Sequence, residues 1–139
     1  MKEDDPTLQY LAAFVIFGHG IGHITGPLSA FGVKIGGTSD RPWILPGGYK
    51  MTSTVGKAWS VFWIAALILF VISSAGAFMG ETWWRDWAIL GAVVSMVAMV
   101  PWWNSILIGA KAGVFLNIAI LLVLLFSWGE DIVGFFELP

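Results

Sequence analysis

Two histidines in the first apolar segment of the sequence are the residues best suited to chemistry. His19 and His23 lie four positions apart, so on an α-helix both imidazoles project from the same face. In that geometry two ring nitrogens can chelate one Zn, Cu or similar ion. Two ligands do not close a metal site, so a metal would also need Asn117, a serine or methionine of the third apolar segment, a water molecule or a second copy of the chain. We therefore predict a ligand-binding site at His19, His23 and Asn117, with His19 and His23 as the metal ligands if a metal is bound.

The residues leave the identity of the ligand open. The chain has two histidines in total, whereas membrane di-iron oxygenases need several His-xxx-His clusters, so that class is excluded. Haem bound by both histidines of one chain is also excluded, because the two imidazoles leave the same helix face. A metal ion remains possible, as does haem with a methionine ligand, with an open axial position or at a symmetric dimer contact. A quinone, lipid or proton site is a further possibility, and the histidines could also join helices by hydrogen bonds without any ligand.

A catalytic centre built from side chains alone is not indicated. The chain has no cysteine, and its carboxylates lie outside the apolar core of the segments, so paired-carboxylate chemistry at depth is absent. Ser95 and a histidine of another helix could form a nucleophile and a base, but no carboxylate remains there to orient the histidine. A serine in such a helix can equally bond a carbonyl of its own helix. Whether the chain is an enzyme is therefore undecided, and a cofactor or partner subunit would have to supply the chemistry.

The composition places these residues in a membrane. Hydrophobic residues make up 58% of the 139 residues and charged residues 12%, against roughly 45–50% and about 25% in soluble domains. The net charge of -2 offers no basic surface for nucleic acid. Four apolar segments are long enough to cross a bilayer, which takes roughly 20 helical residues. They are residues 8–31, 55–79, 83–103 and 106–128, and eight of the nine tryptophans lie near their ends, where interfacial rings are expected.

The connections between the segments predict their arrangement. Very short turns join the second, third and fourth segments, which makes them antiparallel neighbours. The expected fold is an all-α, integral membrane, up-down four-helix bundle that forms a single domain over residues 1–139. Five of the seven basic residues lie in or beside the loop 32–54 and at the start of the fourth segment. By the positive-inside rule this loop is cytoplasmic and both termini are outside.

Glycines at four-residue spacing predict where the helices approach one another. They are Gly18, Gly22 and Gly26 in the first segment and Gly109 and Gly113 in the fourth. Small residues at this spacing allow two membrane helices, or a helix and a flat ligand, to come close. We predict that the first and fourth segments pack together at these glycines, with Asn117 offering a hydrogen bond across the contact.

A proline one turn beyond the second histidine predicts an interruption of the first helix. Pro27 has no amide hydrogen, so the carbonyl of His23 loses its usual helical partner. We expect a kink or a free acceptor at this point, close to the predicted site.

Several short motifs resemble those of a group of small four-helix membrane proteins of bacteria and archaea. That group has His-xxx-His-xxx-Gly in the first helix, Gly-x-x-Trp entering the second, Trp-Trp and a serine in the third, and Trp, Ala-Lys-x-Gly and Asn in the fourth. The matching residues here are His19, His23, Gly56, Trp59, Trp83, Trp84, Ser95, Trp103, Ala110, Lys111, Gly113 and Asn117. The resemblance implies the four-helix fold and the contact between histidine and asparagine, and no activity is attached to the group. A fainter similarity to DoxX-like proteins, some of which are tied to quinone reduction, favours a quinone ligand.

These features together predict a small membrane subunit that binds a metal ion, haem, or a quinone or lipid at an intramembrane histidine pair. It would lie in the bilayer, in a prokaryotic plasma membrane, within a larger membrane redox assembly. The alternative is a structural or assembly subunit that binds no ligand. Such a subunit would use its glycine-rich faces to form a homo-oligomer or to dock on other membrane subunits.

Overall fold

Helices account for the regular structure in the described part of the chain. The computed structural model describes residues 7–35, 40–42, 44 and 48–126, without the side chain of Leu8. The helices are α1 (Thr7–Gly22), α2 (Thr25–Ala30), α3 (Thr54–Met79), α4 (Trp84–Met99) and α5 (Ile108–Leu125), and a 3-10 turn at Val100–Trp102 follows α4. No strand occurs among these residues. The predicted all-α fold class is confirmed.

Four helical segments are long and apolar enough to cross a membrane. They are Gln9–Ala30, which combines α1 and α2, then Thr54–Met79, Trp84–Trp102 and Ile108–Leu125. Their ends agree with the predicted segments within three residues, although Trp128, the last residue of the fourth predicted segment, lies outside the described residues. Apolar run length was therefore enough to locate these helices.

α3 is the helix against which α1, α2 and α4 pack, and α5 packs on α4. It begins after Ser53, whose side chain accepts a hydrogen bond from the N–H of Gly56 at 3.3 Å. It ends at Gly80, whose φ of 75° allows the left-handed cap. Along the described residues α1 does not pack closely on α5, and a cleft lies between these two helices.

The first span is interrupted at the second histidine. α1 ends, residues 23–24 form a turn, and α2 begins. Because Pro27 lacks an amide hydrogen, the carbonyl of His23 cannot accept from the residue four positions on. The N–H of Gly26 donates to that carbonyl instead, at 3.2 Å. The interruption is present as predicted, and the carbonyl of His23 is not left free.

Two of the tryptophans near span ends are buried in the core. Trp63 and Trp102 are 1% and 0% exposed, although the positions of both near span ends predicted interfacial rings. Gly26 makes the burial of Trp63 possible, because any Cβ at position 26 would overlap the indole. Both rings belong to a cluster whose other buried members are Ala30, Met51, Ala98, Met99, Ile106 and Val114. Met51 comes from the loop before α3, so part of that loop completes the core at this end of the molecule.

Candidate functional site

Four polar side chains form a hydrogen-bonded network in the interior. His19 lies on α1 and His23 in the turn that follows, while Ser95 comes from α4 and Asn117 from α5. Nε2 of His19 is 2.7 Å from Oδ1 of Asn117, and Nδ2 of Asn117 donates to Oγ of Ser95 at 2.6 Å. Oγ of Ser95 is in turn 2.6 Å from Nε2 of His23. The network therefore joins the first span to α4 and α5 through groups that depend on one another for partners.

Burial makes every bond of this network count. Ser95 and Asn117 are 0% exposed and His23 is 2% exposed, whereas His19 is only partly buried. A buried polar group that loses its partner costs free energy, because no water replaces the bond. The four side chains are therefore held in one arrangement by the hydrogen bonds that they make with one another.

The backbone of the first span closes the network at one end. Nδ1 of His23 lies 2.9 Å from the carbonyl oxygen of His19, so both ring nitrogens of His23 are used. Nδ1 of His19 takes no part in these bonds. It faces α5, where a Cβ on Gly113 would lie 3.2 Å from this nitrogen and 2.8 Å from Cε1 of the same ring.

Aromatic side chains of α3 form a wall against both imidazoles. The ring centroid of Phe70 is 4.7 Å from that of His19 and 5.6 Å from that of His23. The indole of Trp63 is 5.9 Å from the imidazole of His23. Gly20 makes room for Phe70, since a Cβ there would lie 2.8 Å from Cβ of Phe70. These rings hold the imidazoles in place in apolar surroundings.

A cleft of about 900 Å³ lies between the first span and α5, beside the network. Its walls carry small residues, Gly18 and Gly22 on one side and Gly109 and Gly113 on the other. His19 and His23 both line the cleft, together with apolar side chains of both helices. The volume is that of a typical small-molecule pocket.

The predicted contact between the first and last spans forms only in part. The glycines assigned to it are Gly18, Gly22, Gly26, Gly109 and Gly113. At the first two and at Gly109 an added Cβ would meet no heavy atom within 4 Å. Gly26 packs against the ring of Trp63, and Gly113 packs against the imidazole of His19. In this single chain the imidazole stands between the two helices, so the other glycines line a cleft instead of a close helix contact: Gly18, Gly22, Gly109 and Gly113.

In this arrangement the two histidines are not oriented to chelate one metal ion. Each Nε2 faces a partner of its own, Asn117 for His19 and Ser95 for His23. Within the described residues, no group of three or more His, Cys, Asp or Glu side chains could hold a metal ion. Chelation by the pair would require the network to open, whereas Nδ1 of His19 could act alone as one nitrogen ligand. The assignment of His19 and His23 as metal ligands stays a prediction.

Ser95 and His23 make the contact on which serine nucleophiles depend. The carbonyl of His19 orients the imidazole, in the position where a carboxylate acts in hydrolases. However, Ser95 is fully buried and is not among the residues that line the cleft. Its Oγ also accepts a hydrogen bond from Asn117. The pair therefore serves to position His23 and Asn117 and is closed to a substrate.

The structure brings together the three residues predicted to bind a ligand, His19, His23 and Asn117. The sequence left open whether Ser95 bonds its own helix or a histidine of another helix, and in the structure it bonds His23. The part of Phe70 was missed. The signal for Ser95 was its place in the middle of an apolar segment, where an unpaired hydroxyl is unfavourable. When compared with protein-family models, with curated proteins and with solved structures, the chain matches none of them.

Proposed function

We propose that this chain is an integral membrane protein whose spans form an up-down bundle with both termini outside. The start of the first span lies beside the end of α3, because the side-chain amide of Gln9 donates to the carbonyl of Ala77 at 2.7 Å. At the opposite end of α3, the hydroxyl of Ser105 donates to the carbonyl of Arg41 at 3.0 Å. The loop residues near Arg41 and the lysines at the starts of α3 and α5 supply the positive charge expected of a cytoplasmic side.

We further propose that the protein binds a membrane-soluble ligand in the cleft, with His19 as its polar contact. One observation carries this proposal: both histidines line the cleft, and Nδ1 of His19 is the ring nitrogen of the pair that the network leaves unused. An ionisable side chain in a membrane helix is costly, and it is usually retained for function when it faces a cavity. The other three network side chains hold this ring in position.

An organic ligand is favoured over a bare metal ion at this contact. A metal ion needs several donor atoms, whereas a quinone or lipid head needs one hydrogen-bond partner and an apolar wall. The cleft offers that combination, since glycines and apolar side chains surround the imidazole of His19. The chain would then act as the ligand-binding subunit of a larger membrane redox assembly.

Native mass spectrometry of the protein released from its own membrane tests the proposal. We expect the wild type to carry an added mass that His19→Ala loses, because that change removes the polar contact. Phe17→Ala is the matched control, since Phe17 is on the same helix but is exposed and absent from the cleft. Elemental analysis of the same samples identifies a metal or haem iron. A folded wild type with the same ligand content as His19→Ala contradicts the proposal.

An assembly subunit without a ligand is the second candidate. It is favoured by Gly18, Gly22 and Gly109, which face open space in the single chain, as a surface for another helix would. In that case Gly22→Leu should change the oligomeric state while His19→Ala should not. The mass of the particle in the native spectra distinguishes the two candidates in one experiment.

A further inference from the structure

The backbone carbonyl of His19 fixes which atom donates in each hydrogen bond of the network. A backbone carbonyl only accepts hydrogen bonds. Nδ1 of His23, at 2.9 Å from the carbonyl of His19, must therefore carry a hydrogen. A neutral imidazole has one N–H, so Nε2 of His23 presents a lone pair. A charged ring is disfavoured here, because burial of a charge without an ionic partner is costly and the contacts of His23 are with neutral groups.

The direction then passes through the serine to the asparagine. Because Nε2 of His23 has no hydrogen, the hydroxyl of Ser95 donates across the 2.6 Å contact. The sulfur of Met99, at 3.3 Å from Oγ of Ser95, is a weaker acceptor for the same hydrogen. Having donated its hydrogen, Oγ of Ser95 can only accept from its other partner, so the amide nitrogen of Asn117 faces it. The amide oxygen of Asn117 consequently faces His19.

The orientation of the Asn117 amide fixes the tautomer of His19. Oδ1 of Asn117 is an acceptor, so Nε2 of His19 carries the hydrogen of that ring. Nδ1 of His19 is then a lone pair. The two histidines of the network thus hold opposite tautomers, and His19 offers an acceptor to a ligand in the cleft.

The other polar side chains that line the cleft do not offer a hydrogen-bond donor to a ligand. Both nitrogens of His23 are used within the network. The hydroxyl of Thr25 donates to the carbonyl of Gly22 at 2.9 Å. Trp63 also lines the cleft, and its Nε1 has no hydrogen-bond partner, but this atom is buried and is not exposed to a ligand in the cleft. A ligand that offers only a carbonyl would therefore meet a lone pair at His19, whereas a ligand that offers a hydroxyl would meet a partner.

We propose that the cleft selects an aromatic hydroxyl, and that its ligand is a lipid-soluble hydroquinone bound in preference to the corresponding quinone. This proposal rests on the proposed function and specifies the ligand class of the same site. Gly18, Gly22 and Gly109 add no side chains to the walls of the cleft, and a Cβ at any of them would meet no atom within 4 Å. A planar ring fits such a space, and an aromatic hydroxyl is a stronger donor than an aliphatic one because it is more acidic.

A matched pair of ligands tests the proposal directly. Decylubiquinol and decylubiquinone share one ring and one tail and differ in whether the head donates or accepts. We expect the wild type in nanodiscs to bind the hydroquinone about 10-fold more tightly, the effect of one unmatched hydrogen bond. Asn117→Leu, which no longer fixes the tautomer of His19, should bring the ratio towards one. Equal affinities in the wild type, or tighter binding of the quinone, would overturn the selection of a donor.

Two further measurements separate the possible failures. Nitrogen NMR of histidine-labelled wild type reports the tautomers without any ligand: we expect a bare Nδ1 in His19 and a bare Nε2 in His23, and the reverse result overturns the inference. Dioleoylglycerol, which has an aliphatic hydroxyl, should bind more weakly than decylubiquinol, and equal binding overturns the assignment of an aromatic ligand. If neither quinone form binds, the hydroquinone proposal is overturned, and the ligand content in the native spectra then shows whether the cleft binds something else.

Discussion

Replacing Asn117 with leucine removes the residue that connects α5 to both other parts of the network. Asn117 is 0% exposed and makes two hydrogen bonds, at 2.7 Å to His19 and 2.6 Å to Ser95. Hydrogen bonds between membrane helices contribute about 0.6 kcal/mol on average and up to about 1.7 kcal/mol. Leucine has a similar volume, so the cost of a cavity is small. We expect Asn117→Leu to lower the free energy of unfolding by about 1–3 kcal/mol.

Unfolding in mixed micelles of increasing SDS content, followed by tryptophan fluorescence, measures this change. Asn104→Leu is the matched control, since Asn104 is exposed in the turn between α4 and α5 and belongs to no part of the network. A double-mutant cycle of Asn117→Leu with Ser95→Ala isolates the bond between them, and we expect a coupling free energy of about 0.6–1.7 kcal/mol. An Asn117→Leu variant no more destabilised than Asn104→Leu, or a coupling free energy of zero within about 0.3 kcal/mol, would show that Asn117 does not stabilise the fold through this network.

Three further predictions concern the glycines and the orientation of the chain. Gly26→Ala should destabilise the protein by about 1–3 kcal/mol in the same assay, because its methyl group would overlap the indole of Trp63. Gly18→Ala should have little effect or a small stabilising one, since its methyl group would meet no atom within 4 Å. Equal effects of the two substitutions would contradict the packing described. Gly80→Ala should cost about 1–2 kcal/mol, because its φ of 75° strains any residue with a Cβ, and an unchanged unfolding midpoint would argue against this cap. The chain has no native cysteine, so single cysteines at Thr52 and Glu81 can be labelled with a membrane-impermeant thiol reagent. In intact cells we expect labelling at Glu81 and none at Thr52 until the membrane is permeabilised, and the opposite pattern would reverse the proposed orientation.

The positions of the spans could be predicted from the sequence because they follow from local properties. A run of about 20 apolar residues is recognisable without knowledge of its neighbours, and Pro27 interrupts the helix through its own missing hydrogen. The helical spacing of large apolar side chains such as Phe14 and Phe31, which are 73% and 70% exposed, is equally local. Such features are decided within a single segment of the chain.

The site was predicted in its residue types but not in its partners. Placement of His19, His23 and Asn117 on two helices suggested a contact, yet metal chelation and simple hydrogen bonding had equal support from the spacing. The structure directs each Nε2 to a different partner and leaves Nδ1 of His19 out of the network. Which imidazole nitrogen bonds a partner depends on the rotation of the ring and on the depth of α4. The spacing of residues along a single helix determines neither of these.

For the glycines and tryptophans too, the sequence indicated the residues but the tertiary structure decided their contacts. A small-xxx-small stripe fits a helix contact and a cleft equally well, because both require only that side chains be absent. The choice was made by the imidazole of His19, which fills the space against Gly113 and holds α5 away from the first span. Likewise Trp63 was expected at an interface from its place near a helix end, and it is buried because a glycine on another helix accommodates its ring.

The sequence by itself therefore determined which segments are helical, which are apolar enough to cross a membrane and which residues are costly to bury there. The tertiary structure alone decided that Ser95 joins the two histidines to Asn117, that a cleft lies beside them, and that a single ring nitrogen remains for a ligand. The physical reason is that helix formation and apolar burial depend on composition over short windows, whereas hydrogen bonds between helices depend on the relative rotation and depth of all the helices that contribute a partner.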